Sequence, residues 1–252
     1  MSKDKKYFTD IYKADSTFFR SARVAKAKKM LAVIRDDRGV SLSKLICLDV
    51  GCSVGLISEY FGRYFGKVVG ADTDRRAVEQ ARRRVKLANI SFVVSGENKL
   101  PFKDESFDVV IFSQVYEHSE DPSLLVGEIK RVLRRGGICF FGARNRFWIF
   151  DGHYPLPFLS CLPRAWEKRY FQMFMKGRNY DIKLFSHHDL VNLAESSGFR
   201  IHDYTLRIIK NPKKYSATDV VPTFWGANNL LYFFAKIFYT FVPNYIWVLK
   251  KR

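Results

Sequence analysis

Short apolar runs alternate with amphipathic segments along the middle of the chain. The runs are rich in Val, Ile and Phe, which is typical of strands buried on both faces of a parallel sheet. The segments between them repeat apolar residues at the spacing of a helix. The predicted strands are Leu45–Val50, Lys67–Asp72, Ser91–Val94, Phe107–Phe112 and Ile138–Phe141, and the predicted helices are Leu56–Phe65, Arg75–Ala88 and the segment that Asp121-Pro122 opens and Gly136-Gly137 ends.

The alternation predicts an α/β fold with a doubly wound sheet that carries helices on both faces. Later in the chain, apolar runs at Phe199–Ile209 and Tyr245–Leu249 predict two more strands, with a helix at Ser186–Ser197 before them. We therefore predict a seven-stranded, mostly parallel sheet.

The flanking segments follow other patterns. Residues 1–43 are predicted to form an N-terminal helical segment, with a helix from Ser16 to about Asp36, and residues 44–252 to form the main domain. Residues 146–185 are aromatic and interrupted by prolines, which argues against a strand and predicts an inserted cap over the carboxyl edge of the sheet.

The chain is strongly basic. It has 43 Lys and Arg residues against 25 Asp and Glu, a net charge of +18, spread over many short clusters. This excess favours an acidic partner: nucleic acid, an anionic membrane surface or a phosphorylated substrate. A generally basic, solvated surface explains the charge equally well.

The cysteines and the first residues of the chain indicate the cellular compartment. The four cysteines form no C-x-x-C pair and no Cys/His cluster with metal-ligand spacing, so we expect free thiols and no metal site. The first residues are charged and lack the apolar core of a signal peptide. These features predict a cytoplasmic protein.

Three predicted strand ends carry residues suited to a nucleotide-like ligand. Ligands of open α/β sheets bind where the carboxyl ends of the strands meet. The first strand runs into Asp49-Val50-Gly51-Cys52-Ser53-Val54-Gly55, whose glycines permit a tight turn and a close approach to a ligand. The second ends at Asp72, a carboxylate that can hold ribose hydroxyls, and the third is followed by Gly96-Glu97-Asn98.

The carboxylate at Asp49 helps to choose the ligand. A pyrophosphate-binding loop has the pattern G-x-G-x-x-G, which this loop lacks. Asp49 would repel a pyrophosphate, but it suits a ligand that carries an ammonium and a sulfonium. The residues therefore favour S-adenosyl-L-methionine (SAM) over NAD, and an NAD-dependent oxidoreductase is the weaker alternative.

The ordered set of motifs resembles the class I SAM-dependent methyltransferases. It consists of D-V-G-C-S-V-G, V-V-G-A-D, G-E-N-x-L-P-F-x-x-x-S-F-D-V-V, Q-V-Y-E-H and I-K-R-V-L-R-R-G-G, within Leu45–Asn145. The branch that contains quinone and other small-molecule methyltransferases is the most similar. The sequence departs from that pattern at Ser53, where glycine is common.

The resemblance implies a role in SAM binding for each matching position. The methionine part would be lined by Asp49, Gly51, Cys52, Ser53 and Gly55. Asp72 would hold the ribose with Thr73 beside it, Glu97 and Asn98 would flank the adenine, and Ser113 and Gln114 would face the sulfonium.

A hydroxyl acceptor also requires a base. His118, beside Glu117, is one candidate, and the alternative is that this pair only braces its loop. His153 and Tyr154, in the predicted cap, are the others.

The acceptor is indicated by the aromatic, apolar segment at about 224–242. We interpret it as an amphipathic helix that packs on the sheet, lies at a membrane interface or receives a lipid tail; a central Lys236 argues against a true membrane span. We therefore expect a small-molecule or lipid-linked acceptor, with oxygen as the acceptor atom. The alternatives are an RNA or tRNA methyltransferase, which the charge supports, and a non-catalytic partner subunit with the same fold.

Overall fold

A seven-stranded sheet forms the centre of the molecule. The computed structural model describes residues 17–150, 154–176, 180, 182–223 and 226–252. The strand order is β3-β2-β1-β4-β5-β7-β6, in which β7 runs antiparallel to both of its neighbours and the other pairs are parallel. The strands are β1 (Ile46–Val50), β2 (Lys67–Asp72), β3 (Ile90–Val94), β4 (Phe107–Ser113), β5 (Leu133–Arg144), β6 (Phe199–Asp203) and β7 (Asn244–Lys251).

Helices cover both faces of this sheet. They are α1 (Thr17–Arg38), α2 (Leu56–Phe61), α3 (Arg75–Arg84), α4 (Pro122–Val132), α5 (Arg164–Phe174), α6 (His187–Ser196), α7 (Thr205–Lys210) and α8 (Ala227–Ile237). Alternate residues of one strand enter opposite cores: Leu48 of β1 packs in one cluster with residues of α4 and α6, and Cys47 packs in the other with residues of α1. The predicted doubly wound, mostly parallel α/β fold is confirmed.

Two predicted strand boundaries were wrong by about five residues, and the helices predicted to reach Phe65 and Ala88 end at Phe61 and Arg84. The strand predicted at Phe199–Ile209 ends at Asp203, because the Asp203 carboxylate accepts the Thr205 N–H at 2.7 Å and α7 begins there. The Gly136-Gly137 pair does not end a helix. It lies inside β5, which starts at Leu133, and the register between β4 and β5 shifts next to it.

The segment 146–185 follows β5, and its first and last residues lie together at the carboxyl end of that strand. Asn145 bridges to Phe185, and its side-chain amide donates to the carbonyls of Thr240 and Val242 at 2.7 and 2.8 Å. Arg146 holds the segment internally, donating to the carbonyls of Ser160 and Leu162. The placement agrees with an insertion at this edge of the sheet; the limits of the cap and of the 1–43 segment stay predictions.

Helix α8 covers most of the apolar segment predicted at about 224–242, of which residues 224 and 225 lie outside the described residues. Within the described part of the chain, no helix is both long enough and apolar enough to cross a membrane.

Candidate functional site

The turn after β1 depends on two glycines in the left-handed backbone region. Gly51 has φ 72° and Gly55 has φ 75°. A Cβ atom at Gly55 would lie 2.6 Å from the Phe92 ring, closer than any side chain tolerates. The Gly51 N–H donates to the Ala71 carbonyl at 2.8 Å, which fixes the turn to the end of β2. Glycine is thus required at both positions for this tight turn, and the role of the loop in ligand binding stays a prediction.

Ser53 lies between the glycines and also has a positive φ, 48°. Its N–H donates to Asp72 Oδ2 at 2.7 Å, and the Asp74 N–H donates to Asp72 Oδ1 at 2.9 Å. Burial raises the pKa of Asp72 above its usual range. Each carboxylate oxygen has two acceptor sites, so both retain one for a ribose hydroxyl. The structure therefore brings Asp72 and the loop of Ser53 together.

Asp49 lies beneath this loop. It is almost completely buried, and its Oδ2 accepts the Ser58 hydroxyl at 2.6 Å. Burial raises the pKa of Asp49 to about 6. Its charge can act on a ligand in the loop, while one of its oxygens is occupied by a hydroxyl of α2.

A lysine from the N-terminal helix reaches the same edge of the sheet. Lys26 Nζ donates to Gln114 Oε1 at 2.7 Å, across 88 residues of sequence. Burial lowers the pKa of Lys26 to about 7, and the neighbouring charge of Arg23 lowers it further, whereas Glu117 and Asp49 oppose the shift. Nothing in the sequence pattern indicated this lysine, because α1 carries six other basic residues.

Glu117 is the second group that sequence reasoning missed as a site residue. It is completely buried, and neither carboxylate oxygen has a hydrogen-bond partner among the described residues. Burial raises the pKa of Glu117 to about 7. A buried, unpaired carboxylate is costly to the fold and is therefore a candidate for binding or proton transfer.

The loop after β3 faces the loop after β4. Glu97 Oε1 accepts the Glu120 N–H at 3.0 Å, and Asn98 Oδ1 accepts the Ser119 hydroxyl at 3.3 Å. Both predicted adenine residues thus border the same edge as Asp72, but their oxygens bind the neighbouring loop.

The remaining predicted positions differ in their surroundings. Ser113 ends β4, Cys52 is buried in the turn, and Thr73 is exposed beside Asp72. His118 is exposed, in contrast to its neighbour Glu117. The Tyr154 ring packs edge-on against Phe171 of the cap at 4.6 Å between centroids, and His153 lies outside the described residues. Their proposed catalytic roles stay predictions.

The part of the chain that the structure describes contains no candidate metal site. Among the described residues, no three His, Cys, Asp or Glu side chains converge in a way that could hold a metal ion.

The donor set of the cluster fits SAM. Carboxylates at Asp49 and Asp72 provide acceptors for an ammonium and for ribose hydroxyls, and the Lys26 ammonium provides a partner for a carboxylate. These are the charged and hydroxylic groups of that molecule, and a glycine turn allows a close approach of the backbone.

Comparisons with known proteins agree with the geometry. Residues 48–141 match the family described as "Methyltransferase domain". An uncharacterised protein of Methanocaldococcus jannaschii is 26% identical over 68% of this chain and 74% of its own length. A ubiquinone biosynthesis O-methyltransferase of Pelagibacter ubique is 30% identical over 50% of this chain and 56% of its own length.

A solved structure of similar fold comes from Pyrococcus horikoshii. Its TM-score is 0.59 at 17% identity, with 97% of this chain and 96% of that chain covered. The chain spans about half the length of the ubiquinone O-methyltransferases it matches.

Proposed function

We propose that this chain, which has the fold and the methyltransferase domain of the class I SAM-dependent methyltransferases, methylates an oxygen of a small-molecule or lipid-linked acceptor. The observation that carries this proposal is the convergence of Asp72, Lys26 and the buried Glu117 at one edge of the sheet.

The ends of β1 and β2 and helix α1 supply the groups that would hold SAM. Asp72 would accept the ribose hydroxyls, the Ser53 loop would enclose the methionine part, and Lys26 would bind its carboxylate. When bound, SAM supplies a methyl group on a positively charged sulfur, so that alignment of the acceptor does most of the catalytic work.

Glu117 is our candidate for the base. A hydroxyl acceptor must lose a proton as its oxygen is methylated, and a carboxylate whose pKa is about 7 can take that proton near neutral pH. His118 remains the alternative base, although its side chain is exposed.

The class of acceptor is supported by two features. The curated relatives include ubiquinone biosynthesis O-methyltransferases, whose names state that those proteins methylate oxygen in ubiquinone biosynthesis. The cap also exposes large apolar side chains near the carboxyl edge of the sheet, which favours an apolar acceptor over a nucleic acid: Phe147, Trp148, Ile149 and Phe150.

The cofactor assignment is tested by Asp72→Ala. Loss of a charge-assisted hydrogen bond costs about 1.5–3 kcal/mol, so we expect SAM affinity to fall roughly ten- to hundredfold. Isothermal titration calorimetry measures it. Glu79→Ala, which removes an exposed carboxylate of α3, is the matched control and should bind SAM as the unaltered chain does. Equal affinity of both variants would refute the assigned cofactor site.

The acceptor is tested with SAM that carries a labelled methyl group. We expect the label to appear in a prenylated quinol that has a free hydroxyl, and not in tRNA. Glu117→Gln should reduce turnover while SAM still binds, and His118→Gln should not. Transfer to tRNA, or unchanged turnover of Glu117→Gln, would contradict the proposed acceptor or the proposed base.

A further inference from the structure

Helix α8 turns its apolar side away from the protein. Six large side chains along it and the turn that follows are between 49 and 61% exposed: Leu230, Phe233, Phe234, Ile237, Phe238 and Phe241. The side that faces the protein contains the buried Ala235 and the partly buried Tyr232. A helix that only packs on a sheet shows the opposite arrangement, with its apolar stripe inside.

This outward face, which we call the α8 face, continues onto the cap. The rings of Phe241 and Phe147 lie 6.3 Å apart. Phe147 begins the exposed run Phe147–Phe150, and the Ile149 carbonyl accepts the Phe158 N–H, which brings the exposed Phe158 alongside. Monomeric proteins seldom expose a continuous apolar surface of this kind unless it binds something.

Two lysines lie next to the α8 face. Lys236 is exposed beside the apolar stripe, and Lys210 of α7 lies with its amine 5.5 Å from the centre of the Tyr232 ring. Residues 146–185 and 204–242 together contain twelve Lys and Arg against four Asp and Glu. Two of those four are already engaged, because Glu167 is buried with Arg146 and Asp219 pairs with Lys29, and Lys214 among the cations pairs with Asp36.

An apolar face with a basic border fits one kind of surface, an anionic lipid bilayer. The apolar side chains suit the boundary between headgroups and acyl chains, and the cations suit anionic headgroups. A second copy of the chain fits less well, because a two-fold interface would place the same basic border against itself. At eleven residues, α8 is about 16 Å long, far short of a span.

We propose that the α8 face and the run Phe147–Phe150 form a docking surface for anionic membranes. The surface adjoins the carboxyl edge of the sheet, because Asn145 at the end of β5 binds the carbonyls of Thr240 and Val242. Docking there places the candidate site beside the lipid phase. The docking proposal does not depend on methyl transfer. Vesicle flotation therefore tests it whether or not the proposed function is correct.

Vesicle flotation tests the docking surface directly. We expect the full chain to float with vesicles of phosphatidylcholine and phosphatidylglycerol at low salt, and much less with phosphatidylcholine alone. The variant Phe234→Ser, Ile237→Ser, Phe238→Ser should lower the bound fraction roughly tenfold or more, because it removes apolar area that inserts. Circular dichroism checks that this variant folds.

A control variant removes three exposed apolar side chains elsewhere. Val40, Leu87 and Leu124 are 54, 39 and 55% exposed and lie on other elements, so their triple replacement by serine should leave flotation unchanged. Lys210→Gln, Lys236→Gln should weaken binding to anionic vesicles only. The proposal is overturned if the unaltered chain fails to float, or if the α8 variant floats as well as the control. Light scattering that shows a dimer which the α8 variant converts to monomer would also overturn it.

Discussion

Two residues of the candidate site adopt the left-handed backbone that favours glycine. Ser53 has φ 48° and Gln114 has φ 58°. Such a conformation costs a non-glycine residue about 1–2 kcal/mol and persists where surrounding contacts enforce it. For Ser53 the contact is the N–H that it donates to Asp72, and for Gln114 it is the hydrogen bond that its side-chain oxygen accepts from Lys26. The strain is thus located where the chain would meet its cofactor.

Substitution of Ser53 tests this strain. We expect Ser53→Gly to keep SAM affinity and to change stability by less than about 1 kcal/mol, because relief of the left-handed strain is offset by greater freedom of the unfolded chain. Ser53→Val should lose affinity and destabilise by about 1–2 kcal/mol, since a branched side chain strongly disfavours this conformation. Urea unfolding and calorimetry measure both.

Ser91 provides the matched position. It is exposed in β3 and is not among the residues with positive φ, so Ser91→Val should be tolerated. If valine has the same effect at both positions, the backbone conformation of Ser53 is not the cause.

Glu117 predicts an unusual dependence of stability on pH. Its native pKa of about 7 exceeds the ordinary value of 4.5, so the native state binds the extra proton between these values. Stability from this group is therefore complete below about pH 4.5 and is lost as the pH rises to about 7. Glu117→Gln cannot ionise at this position. Its free energy of unfolding, relative to that of the unaltered chain, should therefore rise by on the order of 3 kcal/mol between about pH 4.5 and pH 7.

Urea unfolding at pH 5 and pH 7 measures this gain. Lys26 acts in the opposite sense at higher pH: its native pKa is lowered from 10.5 to about 7, so stability recovers as the pH rises above 7. Glu79→Gln, which alters an exposed carboxylate, should show no such trend. A difference between Glu117→Gln and the unaltered chain that is constant with pH would mean that Glu117 is not buried as a titrating group.

At the scale of elements, buried strands were the part that the sequence predicts best. β2 matches its predicted range, and β1 and β4 differ from theirs by one residue, because strands buried on both faces leave an uninterrupted apolar run. Strand boundaries at the β6 edge of the sheet were harder to predict. After β6 the chain keeps an apolar composition but becomes α7, since the Asp203 carboxylate binds the Thr205 N–H and diverts the backbone.

The candidate site divides in the same way. The Gly51 turn, Ser53 and Asp72 follow directly from strand ends and were predicted, because carboxyl ends of parallel strands meet at one edge. The role of Lys26 was not predicted, because it depends on how α1 packs across that edge. This packing brings Lys26 to Gln114, which lies 88 residues later in the sequence. Glu117 and His118 are neighbours of opposite exposure, and only the short helical turn at Tyr116–His118 decides which one is buried.

The molecule as a whole carries far more positive than negative charge, and this predicts how salt affects its stability. Unpaired cations repel one another in the folded state, with a net charge of +18. Exposed ion pairs such as Lys214–Asp36 lose strength in salt, but each contributes only about 0–1 kcal/mol. The excess of cations is the larger effect, particularly along α3, where five of ten residues are arginine.

We therefore expect the melting temperature to rise by a few degrees, roughly 2–4 °C, between 10 mM and 150 mM sodium chloride, as the screening length falls from about 30 to about 8 Å. Calorimetry measures the shift, and choline chloride at equal ionic strength should reproduce it, because screening does not depend on the cation. Arg83→Gln, Lys86→Gln, which removes two exposed cations in and just after α3, should raise the melting temperature in low salt and lose that advantage in high salt. A melting temperature that falls as salt is added would show that ion pairs, and not the excess of positive charge, dominate the electrostatics of the fold. In that case, the attraction to anionic membranes would have to come from the cations beside the α8 face alone.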